Sequence, residues 1–247
     1  MLLALLLFLP TGCGRQEPGK PETHSPTAGS APRAATAPQK PEPPPISGEI
    51  TALLRDKVVE AKAEGSSIQE VTVRLRRLVN RPVAVKIPPG TFFVAAGSSV
   101  QNMVATEETT VTLADDEWSS VAVPAACANM YRNIPGEGDA FQIASSPAKK
   151  DLEKLAPFLA QEDYPVRQAA VWIVTDDADY DDLGTLVESS FSGIGGTRVI
   201  TEKEAARAMK LLSDAGIDVK FKRIWQDRQQ ILEGLEDPGL KAWLAGY

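Results

Sequence analysis

The side chains most able to do chemistry lie in two places. One is a lone thiol, Cys127, in the run Val123 to Tyr131, VPAACANMY; the other is Pro165 to Asp182, PVRQAAVWIVTDDADYDD, where Gln168 and Trp172 lead into a dense acidic cluster. Asp177, Asp179, Asp181 and Glu188 fall at positions one, three, five and twelve of a calcium loop of the EF-hand type, and carboxylate oxygens suit that hard cation. Asp182 stands where such a loop needs Gly for its sharp turn. The same residues also fit a helix start, with an Asp as cap and the other carboxylates favouring the positive N-terminus of a helix over residues 181–188. The chain has one His, His24, in a Pro-rich segment, so the folded part has no imidazole for a general base or for zinc. Asp177 and Asp181 could be paired as the acid and base of a hydrolase, but nothing specific in the pattern supports that role. No enzyme is expected.

Gln168-Ala169-Ala170-Val171-Trp172 resembles the Gln-x-Ala-apolar-Trp motif of bacterial surface thioester domains. Cys127, followed by Asn129, Tyr131, Pro135 and Phe141, resembles that family's Cys, which leads into a polar, Pro-containing turn. The resemblance covers Cys127 to Thr175; Ala125-Ala126 and Arg167 depart from the family pattern. It implies an internal thioester between the Cys127 sulfur and the Gln168 side chain, shielded from water by Trp172 and Tyr131. The thiolate would attack the amide carbon and release ammonia, and a Lys amine on a target surface would then displace sulfur to form a permanent amide. Without that bond, Cys127 is a small buried hydrophobe and Gln168 a hydrogen-bonding residue retained for packing.

The elements that must position these residues follow from the rest of the chain. Met1 to Pro10, MLLALLLFLP, is too short for a membrane span but suits the hydrophobic region of a signal peptide, and Thr11-Gly12-Cys13 is similar to the end of a bacterial lipobox. Residues 1–13 are therefore read as an export signal with Cys13 as the lipidated residue, the alternative being an ordinary signal peptide. Either way the domain is expected outside the cytoplasm, as a membrane-anchored lipoprotein or a secreted protein. Residues 14–47 hold nine Pro and too few apolar side chains to offset their ordering entropy, which predicts a disordered tether. A net charge of −7 argues against an electrostatic grip on nucleic acid.

The expected fold class is α+β. Ile50, Leu53, Leu54, Val58 and Ala61 share one helical face and predict a helix within 48–67. Over 68–144, short alternating segments separated by turn residues predict an immunoglobulin-like β-sandwich. Residues 145–247 are expected to be mainly helical, with Phe191 to Thr197, FSGIGGT, as a loop. The function this suggests is an extracytoplasmic, lipid-anchored binding or adhesion module that attaches covalently to amines through Cys127 and Gln168. Two alternatives stand beside it: a non-covalent interaction or structural envelope domain with no thioester, and a binding domain stabilised by calcium.

Overall fold

A computed structural model describes residues 44–144, 146, 148–189 and 196–246. The export signal with Cys13, most of the Pro-rich tether and most of the FSGIGGT segment lie outside the described residues.

The tether ends earlier than its composition suggests, because its last two residues belong to β1 (Ile46–Glu49), which pairs in parallel with β4 (Val83–Ile87). The helix expected over 48–67 is corrected. It is the six-residue α1 (Ile50–Arg55), it stops before Lys57 at a left-handed φ of 55°, and the chain re-enters as β2 (Val59–Ser67). Val58 and Ala61 satisfy a helical spacing, but Val59, Ala61 and Ala63 also alternate, and full-length antiparallel pairing with β3 (Glu70–Arg77) decides between the two.

The strands that follow are β5 (Phe92–Ala95), β6 (Asn102–Ala105), β7 (Thr109–Leu113), β8 (Ser119–Ala128) and β9 (Ala140–Ala144). They do not form two facing sheets of a sandwich. Six of the nine strands β1 to β9 close into an antiparallel barrel in the order β2-β3-β8-β6-β5-β9, and β1, β4 and β7 form a separate three-stranded sheet. The inward residues Val71, Val73 and Leu75 of β3 are fully buried, while Arg74 and Arg76 point outward. Strand β8 changes character along its length: Ser119 to Ala122 alternate, whereas Ala125 to Ala128 are all buried. A second layer covers that half.

The cover is α3 (Tyr164–Asp176), preceded by α2 (Lys149–Leu159) and followed by the short α4 (Tyr180–Leu183). A two-stranded ribbon, β10 (Val187–Ser189) with β11 (Gly196–Arg198), leads to α5 (Glu202–Asp214), which packs on α3. Two 3-10 turns, Val219–Phe221 and Arg223–Asp227, then precede α6 (Arg228–Gly234) and α7 (Pro238–Gly246). One apolar core runs from the barrel interior through α3 to α5. Among the described residues, no helix is long and apolar enough to cross a membrane.

Candidate functional site

Alternate residues of a strand offer their N–H and C=O to the same edge. Along β8 the edge facing β3 is paired as far as Pro124, where the register with β3 ends. Beyond it the odd-numbered residues would be left with buried, unpaired backbone groups, which is costly. The groups are satisfied one after another. Ala125 N–H donates to Gln69 C=O at 2.8 Å. Cys127 N–H donates to Gln168 Oε1 at 2.9 Å, and Gln168 Nε2 donates back to Cys127 C=O at 2.8 Å. Asn129 and Met130 N–H donate to Asp176 Oδ2 and Oδ1 at 3.0 and 3.2 Å.

Helix α3 therefore lies along an unpaired strand edge and completes it with side chains. The Gln168 carboxamide, 0 % exposed, donates and accepts as a neighbouring strand residue would. Tyr164, one turn earlier, directs its hydroxyl to the same Oε1 at 3.4 Å. Arg167 faces the other way and pairs with Glu107.

The two residues singled out for a thioester are thus brought together across 41 positions, but through the Cys127 backbone. The Cys127 sulfur sits 3.5 Å from Met103 Sδ and 3.7 Å from Ile68 C=O. Burial pushes the thiol up to about 12, so almost none of it is thiolate at neutral pH. Trp172 is buried as expected, with its indole N–H lacking an acceptor. Tyr131 is not part of this centre. It is 71 % exposed and its hydroxyl donates to Asp182 Oδ1 at 2.9 Å, so its expected role as a shield over the bond is corrected.

The acidic stretch is corrected as a calcium loop. Asp177 ends α3 at a left-handed φ of 53° and accepts from the Arg223 N–H. Asp179 and Asp182 form a reciprocal capping box that opens α4, and both carboxylates pair with the Arg223 guanidinium. Asp181 is exposed, and Glu188 lies in β10 opposite Thr197 instead of closing a loop. The helix expected over 181–188 is only the four residues of α4. Among the described residues, no group of three or more His, Cys, Asp or Glu is arranged to hold a metal.

Two contributors escaped the sequence reading. Asp176 is eight residues beyond Gln168, a spacing of just over two turns that keeps both near one strand edge. Arg223 carries no local signal, since its partners lie more than forty positions away. Comparison of the chain with protein-family models, curated proteins and solved structures finds no match.

Proposed function

We propose that this chain is a binding module of the cell envelope, tethered to a membrane through Cys13 and its Pro-rich segment, that recognises a protein surface non-covalently. The observation that carries this reading is the exposed cluster around Asp182. Tyr131 and Arg223 both bond to that carboxylate, and Phe221, two residues before Arg223, is 85 % exposed; Ile134, three after Tyr131, is also exposed. Tyr, Phe and Arg are the types that dominate binding energy at protein interfaces. The guanidinium is already oriented by Asp179 and Asp182, which lowers the ordering cost of engagement. The buried Cys127 and Gln168 then serve to fix α3 on the barrel.

The test is sedimentation of the purified chain with isolated bacterial envelope. The double variant Tyr131→Ser, Phe221→Ser is expected to lose binding by tenfold or more, about 1.4 kcal/mol. Unchanged retention of the double variant would remove this surface from the reading.

A covalent mode is the second reading, favoured by the placement of the Gln168 carboxamide on Cys127 itself. For it to operate, the carboxamide must release the Cys127 backbone and the sulfur must turn from Met103, after which sulfur bonds to the amide carbon and nitrogen leaves as ammonia. Intact mass separates the two modes. A mass short by one ammonia, with methylamine uptake that Cys127→Ala abolishes, supports the thioester; the full mass with no uptake excludes it.

A further inference from the structure

The outer face of the barrel carries a charge arrangement that folding does not explain. Register puts Lys62 of β2 directly opposite Arg74 of β3, and like charges facing each other across an antiparallel pair are destabilising. The next pair along is Glu60 with Arg76, bonded at 2.8 Å through Nε. Trp118, just before β8, lies beneath all three cations: its ring centroid is 5.1 Å from Lys62 Nζ, 5.5 Å from Arg74 Cζ and 4.9 Å from Arg76 Cζ. Glu60 engages Arg76 alone. Among the described residues neither Lys62 nor Arg74 has a carboxylate partner, although the chain as a whole carries a net charge of −7.

Arg76 also lines a shallow pocket of about 540 Å³ with Arg77, Leu78, Val79, Asn80 and Asp116. Arg77 belongs to the opposite face, since it alternates with Arg76 and stands across from the buried Val59.

From these features we infer that this face binds an oxyanion of the phosphate class. A carboxylate occupies one guanidinium fork, as Glu60 does on Arg76, whereas a phosphoryl group presents three outer oxygens and up to two charges, enough for the Lys62 ammonium and the Arg74 guanidinium together. The aromatic ring holds the cations close without neutralising them. Asp115, Asp116 and Glu117, in the turn before Trp118, are not paired to these cations and limit the positive field to the immediate contact. The site therefore suits one phosphoryl group and not an extended polyanion.

The test uses the purified full chain, melted in inorganic phosphate and in chloride at equal ionic strength, as wild type and as the double variant Lys62→Gln, Arg74→Gln. Removing facing like charges leaves the fold intact, so the variant's melting temperature in chloride is expected to equal or exceed that of the wild type. Phosphate is expected to raise the wild-type melting temperature in a saturable way, because a ligand of the native state must stabilise it. The variant's apparent Kd should rise at least about tenfold. Vesicles then identify the source. Co-sedimentation with phosphatidylglycerol but not phosphatidylcholine, lost in the variant, assigns the group to a lipid headgroup; no vesicle binding with the phosphate response intact assigns it to a soluble phosphoryl ligand. Equal melting of the wild type in both salts, or the same phosphate response in the variant, overturns the proposal, the latter because it would be a general salting effect.

Discussion

At the scale of single residues, Gln168 stands out because it spends both ends of its carboxamide on one backbone residue. Gln168→Ala orphans a buried N–H and a buried C=O, and should cost about 2–6 kcal/mol in urea unfolding at one to three per group. Gln168→Glu keeps the acceptor for the Cys127 N–H but sets an acceptor against the Cys127 C=O. It is expected to destabilise strongly at pH 7 and to recover in part on acidification, as protonation restores a donor. If either variant unfolds at the wild-type urea midpoint, the pairing does not hold α3. The thiol gives a second expectation. Its value rises on folding to about 12, so the protonated form contributes stability that is fully present below about pH 8.5, the unfolded value, and is lost as the pH rises through 12. Cys127→Ala should flatten that alkaline loss, and native Cys127 should resist alkylation at pH 8. That Cys127 and Gln168 come together was expected only from the resemblance to thioester domains, and there through the sulfur. Which atoms meet was not legible, because the direction of the carboxamide depends on where β3 stops pairing with β8.

At the scale of elements, the junction of α3 and α4 is held by charges that sequence spacing does not reveal. Burial raises the Asp182 carboxyl, but the bonds from the Asp179 N–H, the Tyr131 hydroxyl and Arg223 together outweigh it, leaving the group below its ordinary value. A lowered value contributes stability that is present above about pH 3.9, the unfolded value, and is lost as the pH falls through the folded one. Asp182→Asn should therefore shallow the fall in urea midpoint on the acid side. Arg223→Ala should shallow it as well, because it removes one of the influences that hold the carboxyl below its ordinary value, and so exposed a partner should cost little at pH 7. A steeper fall for Asp182→Asn would contradict the assignment. Elements with clean alternation were the legible ones, as in Val83–Ile87 and Thr109–Leu113, which are strands within the segment read as β. The segment after Ile50 was not legible, since its apolar residues satisfy two periods at once and only pairing with β3 selects the strand.

At the scale of the whole molecule, the distinction between sandwich and barrel rests on one seam. Alternation identifies the strands, yet closure is set by a contact far apart in sequence: Ala63 opposite Phe141 and Glu64 opposite Ala140, with Gly65 N–H donating to Asp139 C=O at 2.8 Å. No local pattern encodes that pairing, which is why an open arrangement fits the sequence equally well. Two residue pairs close a barrel whose neighbouring ladder, β2 with β3, runs the length of the strand. With β5–β6, which also pairs only two residues, the seam is one of the two shortest ladders of the barrel and a place where the sheet opens at low cost. Gly65 permits it, because a Cβ there would stand 2.7 Å from the Gly136 carbonyl oxygen, a backbone atom that cannot swing aside. Gly65→Ala should destabilise by about 1–3 kcal/mol, as overpacking does. Its location is the sharper expectation: in native-state hydrogen exchange the Gly65 amide and the β2 and β9 amides that bond across the seam should lose protection first, while the amides that pair β2 with β3 remain protected. Uniform loss of protection across both ladders would mean that the barrel opens as one cooperative unit and that the seam has no separate weakness.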